Sequence, residues 1–457
     1  MEDEGQGELQ RGLKPRHLQL IALGGIIGSA YFLGTGQLVL DIGPAAVVSF
    51  MLGGLLVWMV MVCLGELAAH IPSTGSFVQY ANEYISPTWG CGVGWSYWIN
   101  WVAYVPSEMI AAGLIMNNFV PSVPVFAWAT LFGVIITALN LMYVGAFGEA
   151  EFWLALIKII AIALFAVMAI LIVFGLIGDH GFQGTSKLLG NGGFFPNGVS
   201  VIFFTMVLIL VNFQGSEIIG IAAGESQDPA HSIPQTVKQV SYRIIAIYVI
   251  PVFLLVCILP WQEAQIGKSV FAIALSDYGF TWAGNLFLLV VLTAAISCSN
   301  SGLYATSRTI FALSKEGMAP EWLGRVNARG VPHNAILTSI AGCWVFIVAF
   351  ALMSEEAQTQ YLNLLIISGF TGGIAWVSIC WSQLYFRRRI VAAGNEHLLK
   401  YKAPFFPWFT LVAIWAQVAC LLGALFQPTL RMPAMIGVVL LILPMAGYQI
   451  WGKKRAC

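Results

Sequence analysis

The chain has 457 residues, of which 59% are hydrophobic and 9% are charged, and its 21 basic residues balance its 21 acidic residues. Soluble domains carry about 25% charged residues, and a soluble chain of this length still needs polar exteriors on its domains. The composition therefore excludes a soluble enzyme, a disordered protein and a disulfide scaffold. Long unbroken apolar runs favour membrane-spanning helices over a β-barrel.

Twelve apolar runs have the length that a transmembrane helix needs, which is about 20 mostly apolar residues. We number them spans one to twelve. They lie near residues 18–40, 44–64, 89–117, 124–147, 152–176, 198–224, 243–261, 281–307, 335–353, 361–386, 406–427 and 433–451. They predict an all-α polytopic membrane protein, and the even count places both termini on one side.

The basic residues predict which side that is. With a cytoplasmic N-terminus, 17 of the 21 Lys and Arg residues fall in cytoplasmic segments, three fall in external loops, and Lys158 lies within a span. This distribution follows the positive-inside rule. We therefore expect both termini in the cytoplasm.

Span one carries the first sign of an interrupted helix. It contains Gly24, Gly25, Gly28, Gly34 and Gly36, although each glycine costs about 1 kcal/mol in a helix interior. Five glycines in one span indicate either close contact between helices or an unwound stretch.

Span six carries a stronger sign, because polar residues occupy its middle. They are Asn212, Gln214, Ser216 and Glu217, beside Gly215. Such residues occur at membrane depth where a helix is discontinuous and lines a cavity. Interrupted spans at corresponding positions of two halves indicate a transporter site between inverted repeats. Spans one and six each begin a set of five, which predicts a 5+5 inverted repeat with helices 1 and 6 broken.

The repeat divides the chain into segments. Spans one to five form the first repeat, spans six to ten form the second, and the last two helices lie outside it. The predicted boundaries are 1–17 for a cytoplasmic tail, 18–176 for the first repeat, 177–197 for an extracellular loop, 198–386 for the second repeat, 387–405 for a cytoplasmic loop, and 406–457 for helices eleven and twelve with a cytoplasmic tail.

Three ionisable residues lie within spans: Glu108 in span three, Lys158 in span five and Glu217 in span six. A charge at the bilayer centre costs at least ~2.5–3.5 kcal/mol. The carboxyls are candidates for carrying a proton, for binding a substrate amine, or for pairing with unwound backbone. Lys158 either extends to the interface or occupies a cation site between spans one, five and eight. Glu66, at the end of span two, is interpreted as interfacial.

Two broken helices have a defined binding chemistry. Unpaired N–H groups and the positive end of a half-helix attract a carboxylate, and unpaired carbonyl groups accept hydrogen bonds from an ammonium group. The interrupted spans therefore predict a site for the zwitterionic head of an amino acid.

Four stretches resemble the amino acid–polyamine–organocation (APC) transporter superfamily, and within it the permeases of the bacterial amino acid transporter family. They are RGLKPRHLQLIALGGIIGSAYFLGTG, LGELAAHIPSTGSFVQYA, GSEIIGIAAGESQDPAHSIP and ALSKEGMAPEWLGRVNARGVPHNA. The resemblance covers nearly the whole chain. It implies a LeuT-type fold with twelve helices and transport by alternating access.

The resemblance also implies which residues form the site. The residues expected to bind substrate are Gly25, Ile27, Gly28, Ser29, Glu108, Phe213, Gln214, Gly215 and Ser216. Lys158 is expected to couple transport to protons, because a lysine at its position is thought to replace sodium in proton-coupled relatives. Glu217 is a second candidate for coupling, because its carboxyl group lies at membrane depth. Neither a catalytic nor a metal-ligating residue is expected.

The expected function is secondary active, proton-coupled uptake of a neutral amino acid across the bacterial inner membrane. The alternatives are an exchanger of amino acids or polyamines and a cationic amino acid permease. A non-transporting sensor is disfavoured because the loops are short, and an enzyme because the sequence holds no catalytic motif. The expected partners are the amino acid and the lipid bilayer. No cofactor besides the coupling proton, no nucleic acid and no obligate protein partner is expected.

Overall fold

The computed structural model describes residues 27–73, 75–142, 147–178, 181–223, 229–327, 330–353 and 355–451. Within these ranges the chain folds into α-helices joined by loops and contains no β-strand. The all-α class predicted from the apolar runs is therefore confirmed. The helices are α1 (Thr35–Ile42), α2 (Ala46–His70), α3 (Ser76–Tyr84), α4 (Pro87–Phe119), α5 (Val125–Met142), α6 (Phe147–Val173), α7 (Ser186–Gly190), α8 (Ser200–Phe204), α9 (Met206–Val211), α10 (Ile218–Ala222), α11 (Pro229–Ile244), α12 (Ile250–Ile258), α13 (Val270–Asp277), α14 (Thr281–Lys315), α15 (His333–Leu352), α16 (Ala357–Ala392), α17 (Trp408–Phe426) and α18 (Pro428–Trp451).

Nine helical segments among the described residues are long and apolar enough to cross a membrane. One of them, Ala30–His70, joins spans one and two, whereas span four corresponds to the shorter apolar helix Val125–Asn140. Span six is divided among α8, α9 and α10. The chain is thus a polytopic membrane protein, and the count of twelve spans and the inverted repeat stay predictions.

A tight turn separates α1 from α2 within the long segment. Gly43 has a φ of +74°, and a Cβ atom at this position would lie 2.4 Å from Cγ of Pro196. Only glycine combines this backbone conformation with so close a neighbour. Pro44 follows in the first positions of a 3₁₀ turn, where its fixed φ suits the turn and its missing N–H leaves no donor unpaired.

The helix of span six is interrupted where its polar residues predict an interruption. Six residues in turn conformation separate α9 from α10. Gly215 has a φ of +102°, which side chains rarely permit. Side chains replace part of the lost helical bonding, since Asn212 Nδ2 donates to the Leu208 carbonyl at 2.7 Å and Ser216 Oγ donates to the Phe213 carbonyl at 2.8 Å.

Span one enters the described structure just before a helix begins. Ile27 and Gly28 are not helical, and a π-helix over Ala30–Gly34 leads directly into α1. π-Helical turns are rare in proteins as a whole, and those that do occur are often found at functional sites. Gly24 and Gly25 lie outside the described residues.

The centre of the molecule is formed by α4, α14 and α16. Helix α4 packs most extensively against the other two, and Gly302 on α14 permits this, because a Cβ atom there would lie 2.5 Å from Cε3 of Trp101 on α4. In the most apolar stretch of α16, 94% of the residues are buried, against 22% in α18. The central helices therefore supply the walls of the candidate site, and α18 lies at the periphery.

Candidate functional site

The first described residues of span one lie against Glu108 of α4. The backbone N–H of Ser29 donates to both carboxylate oxygens of Glu108, at 2.9 and 3.0 Å. A Cβ atom on Gly28 would lie 2.3 Å from Glu108 Oε1 and 2.5 Å from the Tyr104 hydroxyl. The structure thus brings together three of the predicted site residues: Gly28, Ser29 and Glu108. Gly25, which was predicted with them, lies outside the described residues.

Lys158 of α6 reaches the same segment from another direction. Its Nζ donates to the carbonyl of Ile27 at 3.0 Å and to Ser297 Oγ of α14 at 2.8 Å. The side chain is fully buried, so it does not extend to the interface. The ammonium group therefore lies between spans one, five and eight, in the place where the sequence predicts a cation site.

Glu217, in the interrupted part of span six, is surrounded by uncharged donors. Tyr97 of α4 donates its hydroxyl to Oε1 at 2.7 Å, and Trp376 of α16 donates its indole N–H to Oε2 at 3.0 Å. The backbone N–H of Gly215 lies 3.1 and 3.2 Å from the two oxygens. The carboxylate therefore fixes the turn between α9 and α10 to the two central helices.

Gln214 belongs to a second group of polar side chains in the same turn. Its Nε2 donates to the Ser368 carbonyl on α16 at 3.1 Å. The Ser368 hydroxyl lies 3.0 Å from Gln214 Oε1 and 2.5 Å from Asn100 Oδ1 on α4. Gly372 leaves room for the amide, because a Cβ atom there would lie 2.2 Å from Gln214 Nε2. This group contains no formal charge.

Phe213 forms an aromatic cover beside the turn. Its ring centroid lies 4.6 Å from that of Tyr248 and 6.2 Å from that of Phe50, and Tyr248 lies 4.7 Å from Tyr31 of the π-helix. All four rings are buried. The aromatic cover therefore connects span one with span six and shields the residues between them from solvent.

The sequence reasoning missed the contribution of α16. Tyr361 places its hydroxyl 3.2 Å from Ser29 Oγ, while Ser368 and Trp376 contact the turn of span six. The available signal was weak, because span ten reads as mostly apolar, and Ser368 and Thr371 beside Gly372 are only two of several uncharged polar residues in it. Only the fold shows that these side chains point toward Ser29 of span one and toward the interruption of span six.

Glu66, which the sequence analysis interprets as interfacial, does not face the surface of the protein. The side chain is completely buried, and Arg387 of α16 lies 2.8 Å from its Oε1 atom. A carboxyl group at the end of an apolar run has the same sequence pattern whether it faces headgroups or an arginine from a distant helix. The pair lies at the opposite end of α16 from Tyr361.

The chemistry of the site follows from these partners. The backbone and side chains around the interruption of span six and the first described residues of span one present N–H groups, carbonyl oxygens, two carboxyl groups and one ammonium group within a buried space. Such a set suits a ligand with both an anionic and a cationic end. It offers no nucleophile activated by a general base among the contacts described above.

The comparisons with known proteins agree with this chemistry. A family model described as "Amino acid permease" matches residues 17–456. The chain is 40% identical over 457 residues to amino-acid permease RocC of Bacillus subtilis (strain 168), which covers 98% of this chain and 96% of the relative. It is 37% identical to lysine-specific permease LysP of Escherichia coli (strain K12), over 92% of this chain and 86% of the relative.

A third relative is histidine permease HisP of Lactococcus lactis subsp. cremoris (strain MG1363), which is 35% identical over 90% of this chain and 87% of the relative. These relatives are bacterial transporters and not enzymes. The family model and the relatives both extend over almost the entire chain, so the chain belongs to the amino acid permease family of the APC superfamily.

Proposed function

We propose that the protein takes up a neutral amino acid across the bacterial plasma membrane together with protons, with both of its termini in the cytoplasm. Membership of the amino acid permease family supports amino acid transport. The proposal that transport is coupled to protons is supported by the position of Lys158, whose buried ammonium group lies between the Ile27 carbonyl and Ser297 Oγ. Oxygen atoms of this kind would also hold a sodium ion, so a lysine that gains and loses a proton replaces it.

The substrate head group is expected at the two broken segments. The Ser29 N–H is occupied by Glu108, so a substrate carboxylate that binds this N–H competes with the Glu108 side chain. Release of Glu108 then leaves its carboxyl free to interact with the substrate ammonium group. Substrate binding would in this way exchange one carboxylate for another at the same backbone donor.

A neutral side chain on the substrate is supported by the partners of the two glutamates. Glu108 accepts from Ser29, and Glu217 accepts from Tyr97, Trp376 and Gly215. Neither carboxylate is thus a spare counter-ion for a cationic side chain. The second candidate is a cationic substrate or histidine, which the names of the lysine and histidine permeases favour.

Uptake into proteoliposomes tests the coupling. We expect uptake driven by an inward proton gradient and independent of sodium, with loss of uptake in Lys158→Met. Lys315→Met is the matched control, because Lys315 is exposed. Sodium-dependent uptake that ignores pH, or full activity of Lys158→Met, would contradict the proposal. Counterflow without a proton gradient would instead support an exchanger.

A thermal-shift screen of the twenty amino acids on the purified protein tests the substrate. A ligand at 100 times its Kd stabilises the folded state by about 2.7 kcal/mol. We expect a rise in melting temperature with one or more neutral amino acids. A rise with lysine, arginine or histidine alone would favour the second candidate.

A further inference from the structure

A buried ion pair ties the end of α2 to the end of α16. Arg387 Nη1 donates to Glu66 Oε1 at 2.8 Å, and Gln383 Nε2 donates to Oε2 at 3.0 Å. The backbone N–H of Ala403 also donates to Oε2, at 2.6 Å. We call these four residues the Glu66 clamp. Its carboxylate is fully buried and its arginine is 5% exposed, so the charges compensate each other away from water.

The loop over residues 393–407 lies across the Glu66 clamp, and we call it the strap. Glu396 accepts from Arg387 Nη2 at 3.0 Å, and the Phe406 ring centroid lies 5.3 Å from the guanidinium carbon. One turn beyond Glu66 on α2, His70 Nε2 lies 3.3 Å from the Leu398 carbonyl oxygen. The strap is therefore attached both to α2 and to α16.

The helix that carries Arg387, α16, also contacts the candidate site. Tyr361 contacts Ser29, and Trp376 donates to Glu217. Trp376 precedes Arg387 by eleven residues, which corresponds to roughly 16 Å along an α-helix. A shift of α16 at the clamp therefore moves groups that hold both broken segments.

The two partners of the ion pair belong to different predicted repeats. Glu66 lies at the end of span two in the first repeat, and Arg387 directly follows span ten of the second. In transporters built on inverted repeats, alternating access is largely a movement of one repeat or bundle against the other. Such a movement changes the separation of the two side chains.

We propose that Glu66 and Arg387 are positioning residues of the transport cycle, whose ion pair keeps the site closed on the side of the membrane where the strap lies. The pair acts through α16, and it separates when the site opens to that side. This inference rests on the proposed function, because it assumes that the site alternates between the two sides of the membrane.

Two native cysteines provide reporters for this movement. Cys63 lies one turn before Glu66 on α2, with its Sγ 3.9 Å from Thr410 Oγ1 of α17. Cys343 lies on α15, outside the clamp and the strap. Both are buried. A separation of α2 from α16 and the strap would expose Cys63 and leave Cys343 covered.

The experiment measures labelling by N-ethylmaleimide of the full-length protein in liposomes. Two backgrounds retain either Cys63 or Cys343 as the only cysteine. We expect Arg387→Met to raise the rate at Cys63 about tenfold, within the range of typical conformational couplings, and to leave Cys343 unchanged. Arg387→Lys, which keeps the charge, and Arg388→Met, which alters an exposed neighbour, should label like the unmodified protein.

Two labelling results would contradict the proposal. An unchanged rate at Cys63 in Arg387→Met, or an equal rise at Cys343, would overturn the proposal, because the second result indicates general loosening. If Arg387→Met does not fold, Glu396→Gln removes only the exposed partner of the arginine and should raise the Cys63 rate about threefold, since exposed pairs are weak. No rise at Cys63 in Glu396→Gln would then also overturn it.

A final arm separates this proposal from the proposed function. A mixture of the twenty amino acids should change the labelling rate of Cys63 in the protein that keeps Arg387, and it should have no effect on that rate in Arg387→Met. If the mixture changes the rate in neither protein while Arg387→Met still raises Cys63 labelling, the proposal of amino acid binding is contradicted and the proposal for the Glu66 clamp is supported. If the mixture acts equally in both proteins, the site opens without the clamp and the clamp proposal fails.

Discussion

Two groups of buried carboxylates in this molecule differ in how their charge is balanced. In the candidate site, Glu108 and Glu217 accept hydrogen bonds from backbone N–H, hydroxyl and indole groups. At the clamp, Glu66 faces the guanidinium group of Arg387. Uncharged donors can release a carboxylate to another partner at modest cost, whereas removal of one member of a buried ion pair leaves a charge without compensation.

The comparison teaches where change is expected in a transport cycle. A carboxylate held by uncharged donors can change partners without breaking an ion pair. A carboxylate held by arginine keeps two helices in a fixed relation. The site therefore has the properties of a group that exchanges partners, and the clamp has those of a joint between two bodies.

The largest expected effect comes from breaking the ion pair. Glu66→Gln leaves Arg387 buried beside a neutral amide, and we expect a loss of about 3–5 kcal/mol in the free energy of unfolding. Arg387→Met should cost a similar amount. The double variant Glu66→Gln/Arg387→Met removes both charges and should recover at least half of the loss. Thermal unfolding in detergent measures these values, and strictly additive losses would argue against the pairing.

A smaller effect is expected from filling the space at Gly28. Gly28→Ala places a Cβ atom 2.3 Å from Glu108 Oε1, and overpacking of this kind costs about 1–3 kcal/mol. We expect uptake to be lost as well, since the change displaces Glu108 from Ser29. The matched control near the clamp is Gly65→Ala, whose Cβ would meet Tyr401 and Val237 at 3.0 Å and should leave uptake intact. Equal loss of uptake in both variants would remove the distinction between the two regions.

Neutralising the site carboxylate should cost less than neutralising the clamp. Glu217→Gln turns one acceptor into an amide that faces donors, and leaving such groups unpaired costs about 1–3 kcal/mol. No buried charge is stranded, because the contacts to Tyr97, Trp376 and Gly215 are uncharged. Comparison of the melting temperatures of Glu217→Gln and Glu66→Gln checks the order. A greater loss in Glu217→Gln would reverse our comparison.

The smallest effect is expected for Tyr97→Phe, which removes a single hydroxyl donor from Glu217. Hydrogen bonds between membrane helices average about 0.6 kcal/mol, with a maximum near 1.7. Because Trp376 and Gly215 still hold the carboxylate, we expect a small fall in melting temperature. The same measurement on Trp376→Phe provides a second value, and a loss as large as that of Glu66→Gln would show that Glu217 depends on a single donor.

The sequence allowed some of these features to be predicted because their signals are local. The interruption near Gly215 follows from polar residues inside an apolar run, whereas the depth of Lys158 in span five left open both a buried cation site and an extension to the interface, and the structure shows the buried one. The contact of Ser29 with Tyr361 joins residues 332 positions apart, and that of Glu66 with Arg387 joins residues 321 positions apart. Neither pair leaves a periodic pattern, so the helix packing alone reveals them.

The peripheral position of α18 has a consequence for how this sequence can vary. Met432, Ile436 and Leu443 are exposed on its surface, and the lipid chains expected around them are as apolar as the side chains themselves. Lipid chains adapt to side chains of many shapes, so the residues at these positions must be apolar but can differ in shape. In the most apolar stretch of α16, where 94% of the residues are buried, both polarity and shape are constrained. A complete substitution library would therefore tolerate exchange among large apolar residues throughout α18 and reject most of it in α16.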